Sequence, residues 1–156
     1  MTVYLVRHAD AKSRANWPHE DETRPLTRKG LAQAEGLVDL LRERPIRRIL
    51  SSPAVRCVET AAPLANKLGI GVEQTDALLE GAGGSKAYHL VRHAVKEKGD
   101  TVLCTHGDLV PELLRLASRD GLKLEDSPRW AKGSTWALEV DGHHLTRGRY
   151  WPPPEA

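Results

Sequence analysis

The chain has no phenylalanine, a single methionine, and only 4% aromatic residues among its 156 positions. The missing phenylalanine carries no functional reading; the other absences exclude more. Cysteine occurs only at Cys57 and Cys104, too few for a disulfide-stapled scaffold. Each lies in a mainly apolar segment, so two buried free thiols in a reducing cytoplasm are expected. No charge sign dominates: 23 Lys and Arg against 21 Asp and Glu leave a net charge of +2. That balance gives no electrostatic case for a nucleic acid or an anionic membrane as partner. No apolar run approaches the ~18 residues needed to span a bilayer. Residues 1–7 lack the charged and long apolar regions of a secretory leader, so a cytoplasmic protein is expected. No spacing of His, Cys and carboxylates forms a metal signature, so neither a metal nor another cofactor is expected. No linker divides the chain, and residues 1–156 read as one domain large enough to bury its own core.

What is present alternates between two patterns. Residues 2–6 form a β-branched and aromatic run expected as a buried strand. Residues 9–26 are polar and irregular and carry the stretch His19-Glu20-Asp21-Glu22. Thr27 suits a helix N-cap, and beyond it Leu31, Ala34, Leu37, Val38 and Leu41 share one helical face that ends before Pro45. Residues 46–51 read as a second strand. Pro53 suits the first position of the next helix, where its missing N–H costs nothing. Pro63 predicts a kink there or a division into two pieces. A weak third strand follows at 70–73, a helix at 85–98, a buried strand at 101–105 and a helix at 108–119. Residues 134–140 and 143–150 alternate in polarity around Asp141-Gly142, a hairpin turn signal. Residues 151–154, Trp-Pro-Pro-Pro, read as an extended surface tail. This β-α-β-α order predicts an α/β fold, a three-layer α/β/α sandwich around a mostly parallel sheet. The C-terminal hairpin adds an antiparallel strand.

Ligands of open α/β sheets bind beyond the carboxyl ends of the strands, so the residues that follow each strand are the informative ones. These are Arg7-His8, then Ser51-Ser52-Pro53 with Arg56, then Leu78-Leu79-Glu80, then Thr105-His106-Gly107. Two Arg, two His and one Glu gathered at one sheet edge can hold a phosphoryl group. Guanidinium forks match its oxygens, and helix N-termini after Ser52 and Gly107 add N–H donors. A neutral His can attack phosphorus, and a Glu can protonate the leaving group.

The motifs Leu5-Val6-Arg7-His8-Ala9-Asp10-Ala11, Ser51-Ser52-Pro53-Ala54-Val55-Arg56 and Cys104-Thr105-His106-Gly107 resemble the histidine phosphatase superfamily, with its phosphoglycerate mutase-like fold. Arg24-Pro25-Leu26-Thr27, followed by Gly30 and Gln33-Ala34, is similar to the SixA-type phosphohistidine phosphatases. Lys132-Gly133-Ser134-Thr135-Trp136 is also similar to the phosphatase-like C-terminal domain of some actinobacterial Nudix hydrolases. In some of those the second His is missing; here His106 is present. The resemblance implies His8 as nucleophile, Arg7 and Arg56 as phosphate clamp, and His106 as a partner that stabilises the transferring group. It implies a general acid at Glu80, although Gly81-Ala82-Gly83-Gly84 departs from the family's usual surroundings. The expected activity is cofactor-free removal of a phosphoryl group through a phosphohistidine intermediate. The expected substrate is a phosphohistidine in a protein. The alternatives are a small phosphorylated metabolite or nucleotide, or phosphate binding without turnover. A mutase fits less well, because the short chain leaves little room to enclose a retained intermediate.

Several of these residues have plainer readings. Arg24 approaches substrate or pairs with the acidic stretch at 20–22, and Glu80 is an acid or a surface carboxylate. Asp10 reads as a loop cap, and His143-His144 as the solvated start of a strand. The pentapeptide at 5–9 recurs as Leu90-Val91-Arg92-His93-Ala94, inside a stretch where Tyr88, Val91 and Val95 keep helical spacing. That second copy reads as a solvated helix edge.

Overall fold

A computed structural model describes residues 1–156. Its seven-stranded sheet has the order β3-β2-β4-β1-β6-β7-β5. The strands are β1 (Thr2–Arg7), β2 (Ile46–Ser51), β3 (Val72–Gln74), β4 (Asp100–Thr105), β5 (Lys123–Leu124), β6 (Thr135–Asp141) and β7 (His144–Trp151). β3, β2, β4 and β1 run parallel, and β6 joins β1 antiparallel and carries β7. The helices are α1 (Arg28–Leu41), α2 (Val55–Leu68), α3 (Gly84–Ala94) and α4 (Leu109–Arg119).

Alternation along the central strands divides their side chains between two cores, because successive residues point to opposite sheet faces. Val3, Leu5 and Leu103 pack with Val91 of α3 and Leu113 of α4. Tyr4, Val6, Val102 and Cys104 pack with Leu37 of α1 and Leu64 of α2. The three-layer α/β/α sandwich with a mostly parallel sheet follows.

Local chemistry accounts for most element boundaries, and several expectations need correction. Thr27 caps α1 by accepting from the Gly30 N–H at 3.0 Å. Leu31 does not join the buried face and is 46% exposed. The first turn of α1 packs on loop backbone instead: a Cβ on Gly30 would come within 2.0 Å of the Asp10 carbonyl oxygen. Pro53 lies outside α2, which starts at Val55 with Ala54 as its cap. Pro63 does not divide that helix, whose buried face (Thr60, Ala61, Leu64, Ala65) runs past it on both sides. The third strand occupies Val72–Gln74 rather than 70–73, and α3 stops at Ala94 rather than 98. The hairpin turn is shifted by one residue: Asp141 pairs with His144, leaving Gly142 and His143 at positive φ of 57° and 66°. His143 therefore belongs to the turn and only His144 to the strand. The register shift between Glu139 and Val140 accompanies this displacement. β5 has no sequence pattern of its own and forms by pairing with β7. Trp151 belongs to β7, its ring 5.5 Å from that of Tyr4, and Pro154 behind it lies against Gly36 of α1.

Candidate functional site

Register brings the two histidines together. Arg7 pairs with Thr105 across β1 and β4, so the next residues, His8 and His106, leave the sheet side by side. Their ring centroids are 5.5 Å apart. The His8 N–H donates to the Thr105 carbonyl at 3.0 Å, and the Ser52 N–H donates to that of Cys104 at 3.0 Å. Thr60 of α2 links the two halves: it accepts from the Ala9 N–H at 3.0 Å and donates to the Arg56 carbonyl at 2.7 Å.

His8 is 4% exposed, and its Nδ1 lies 2.8 Å from the Ala9 carbonyl oxygen. A carbonyl only accepts, so Nδ1 carries the proton and Nε2 keeps its lone pair. Burial pushes the pKa of His8 down to about 3, with the charges of His106, Arg56 and Arg7 acting in the same direction. The ring is thus neutral across the physiological range, with the Nε2 lone pair free.

Arg56 is 1% exposed. Its Nη1 donates to the Asp21 carbonyl at 2.9 Å and its Nη2 to the Asp21 carboxylate at 3.1 Å. Nη2 also lies 3.3 Å from His106 Nδ1. Because a guanidinium only donates, His106 accepts at Nδ1 and presents Nε2–H to the Ser52 hydroxyl at 2.8 Å. Arg7 donates to the Trp130 carbonyl at 2.7 Å and lies over Gly107, where a Cβ would meet its Cζ at 2.6 Å. Glycine there lets the guanidinium lie flat against the backbone. The Nε atoms of Arg7 and Arg56 are buried without an acceptor in the protein. Unpaired buried donors of this kind are costly unless something negative meets them.

Arg7, His8, Arg24 and Glu80 line one open cavity of about 540 Å³, together with Ala11, Lys12, Ser13, Arg14 and Lys132. Arg56 and His106 are buried beside these residues. Arg24 pairs with the acidic stretch, its Nε donating to Asp21 at 3.2 Å, and it also lines the cavity. Glu80 lies at the rim with both oxygens 3.1 Å from Arg14 Nη2, and Oε1 is 3.8 Å from Arg56. Asp10 ties its loop to α1, accepting from the Thr27 hydroxyl at 2.7 Å. Arg92 and His93 sit exposed on α3, away from this edge.

Asp21 is the main residue that the sequence reading did not single out. Its carboxylate accepts from Arg14, Arg24 and Arg56 at once. Partial burial opposes its ionisation, but the Arg56 charge and the Arg24 hydrogen bond hold it below the usual carboxylate range. The available signal was its i,i+3 spacing from Arg24. Cys57, expected as a buried free thiol, has its Sγ 3.5 Å from His106 Nε2, under the site. Both cysteines are free and buried.

A search for relatives gives results consistent with this geometry. The 8-oxo-(d)GTP phosphatase of Mycolicibacterium smegmatis is 31% identical over 162 aligned residues, covering 99% of this chain. The chain spans about half, 49%, of that relative's length. Among solved structures, the protein histidine phosphatase SixA complexed with tungstate superposes with a TM-score of 0.77 at 20% identity, covering 99% of this chain and 97% of that one. The mycobacterial glucosyl-3-phosphoglycerate phosphatase gives 0.70 at 16% identity, covering 99% of each chain. These two share the fold. The family model described as histidine phosphatase superfamily (branch 1) matches residues 3–89, the span holding Arg7, His8, Arg24, Arg56 and Glu80. The chain therefore belongs to the histidine phosphatase superfamily.

Proposed function

We propose that this chain is a phosphatase that transfers a phosphoryl group to His8 Nε2 and then to water. The observation that carries this reading is the His8 Nδ1–H bond to the Ala9 carbonyl, which leaves a neutral Nε2 lone pair beside the arginines. In the first step the Nε2–P bond forms as the bond to the leaving group breaks. The ring gains positive charge, which the Ala9 carbonyl stabilises through Nδ1–H. Arg7, Arg56 and Arg24 hold the phosphoryl oxygens with His106, and Glu80 acts on leaving groups that need a proton. In the second step water attacks phosphorus, the P–N bond breaks, and the electron pair returns to Nε2. Phosphate carries away both water protons when the leaving group departs as an anion; where Glu80 has protonated the leaving group, one of the two returns to Glu80.

Two substrate classes fit. Phosphohistidine in a protein is favoured by the SixA-like Arg24-Pro25-Leu26-Thr27 motif, and its imidazole departs without help once protonated. A small phosphorylated compound is favoured by the cationic lining of the cavity. The intermediate is testable because a P–N bond is acid-labile and base-stable. Labelled substrate is expected to leave an acid-labile label on the wild type and none on His8→Ala. A label that survives acid overturns the assignment. Tungstate and vanadate are expected to inhibit competitively, and a chelator to leave the rate unchanged.

A further inference from the structure

Two cations at the cavity mouth have no part in the reaction described above. Lys12 follows His8 by four residues, and Lys132 precedes Gly133, whose N–H donates to the carbonyls of Arg7 at 3.2 Å and His8 at 3.0 Å. Both lysines line the same cavity as His8, and both are exposed. Neither pairs with a carboxylate. The Lys12 ammonium lies 5.9 Å over the Trp17 ring. Ala11 is the one hydrophobic residue of the lining.

These facts constrain the leaving group. The transferred phosphoryl group, with roughly two negative charges, already has Arg7, Arg24 and Arg56 to meet it. An organic leaving group finds no apolar wall at the mouth against which to bury surface. An anionic one finds two uncompensated ammonium groups, which act as mobile point charges suited to phosphate. Glu80 bears on the same question. Its oxygens both accept from Arg14, a contact it would have to give up to hand a leaving group a proton. A leaving group that departs as a stable anion has no use for one.

The geometry points to the terminal phosphoryl group of a diphosphate or triphosphate as the group removed, with Lys12 and Lys132 holding the adjoining phosphate. This deepens the phosphatase reading and rests on it. The step balances without added protons: the bridging P–O bond breaks, its electron pair stays on the departing phosphate, and Nε2–P forms. Because Ala11 is the one apolar residue of the lining, whatever the second phosphate carries projects into solvent and is weakly read.

The test compares kcat/KM for ADP, inorganic pyrophosphate and p-nitrophenyl phosphate on wild type and on Lys12→Ala/Lys132→Ala. The wild type is expected to cleave all three and to favour both anhydrides. In the double variant the ratio of ADP to p-nitrophenyl phosphate is expected to fall at least about tenfold. Charge reversal to Lys12→Glu/Lys132→Glu is expected to lower that ratio further, and added salt to compress the difference. An unchanged ratio, a parallel loss on all three substrates, or a wild type that cleaves only the p-nitrophenyl ester overturns the proposal. Turnover of none of the three sinks the phosphatase reading as well, so the two failures are distinguishable.

Discussion

The same five residues, Leu-Val-Arg-His-Ala, occur at 5–9 and at 90–94, and they do opposite things. At the first position they end β1, with Leu5 and Val6 on opposite faces of the sheet and each in a different core. Arg7 and His8 then project from the carboxyl edge among other charges. At the second position the residues form the last turns of α3. Val91 and Ala94 are buried on one face, while Arg92 and His93 are exposed. His93 Nε2 faces His89 Nε2 at 3.2 Å, one helical turn away. The pentapeptide specifies neither fate. Neighbours decide it: helical spacing of Tyr88, Val91 and Val95 in one case, a run of β-branched and aromatic residues in the other. Chemistry then follows from placement, since the first copy meets a buried second histidine and buried arginines, whereas the second meets only the exposed His89.

The largest expected effect separates the copies outright. His8→Ala is expected to abolish the labelled intermediate and to lower kcat by at least about 10³-fold, the scale seen when a nucleophile is removed from a catalytic set. His93→Ala is expected to leave kcat within error. Equal effects of the two substitutions would erase the distinction. Glu80→Gln sharpens it by probing a group that only the first copy has beside it. For an alkyl phosphate, whose alkoxide leaves badly, a loss of about 10²-fold is expected if the carboxyl donates a proton. For p-nitrophenyl phosphate, whose phenolate leaves easily, the expected loss is small. Large equal losses on both would make Glu80 a residue that positions phosphate instead.

The contrast also explains how much was legible. The parallel sheet, its helices and the edge carrying His8, Arg56 and His106 follow from strand and helix periodicity plus the rule that ligands sit beyond strand ends. Thr27 as a cap was readable because its side chain acts three residues away. Asp21 was not, because its partners Arg14, Arg24 and Arg56 converge only when the 9–26 loop folds over α2. Gly107 declared a loop but not the arginine above it. β5 could not be read because its pairing partner lies 24 residues further on, at Arg147. Local signals and convergence at strand ends were legible, while partners brought together by the folding of a loop were not.

A smaller effect is expected at the two arginines. Arg56 uses both terminal nitrogens, toward Asp21 and His106, which an ammonium cannot reproduce. Arg56→Lys is expected to lower kcat/KM by roughly 2 kcal/mol of transition-state stabilisation, about 30-fold, by analogy with removing one preorganised donor. Arg92→Lys keeps an exposed charge on α3 and is expected to change nothing measurable. Wild-type turnover in the Arg56 variant would count against the clamp.

The smallest effect lies in stability rather than rate. Folding holds His8 at about 3, with burial as the main cause, whereas an unfolded chain titrates it near 6.5. Between those values the unfolded state binds a proton that the folded state refuses. Stability therefore falls as pH drops from about 6.5 toward 3, with a slope of up to about 1.4 kcal/mol per pH unit from this one group. Above about 6.5 both states are neutral at His8 and the term is flat. His8→Asn removes it, so the stability difference between wild type and this variant is expected to shift toward the variant as the solution is acidified. Denaturant titrations at pH 7.5, 6, 5 and 4.5 read that difference directly. In His93→Ala the His8-dependent slope persists, because the buried ring remains. A pH-independent difference between wild type and His8→Asn would mean that the first copy's histidine accepts a proton while folded. The neutral Nε2 lone pair would then be lost at acid pH, and the kinetic profile would show it as a falling acid limb.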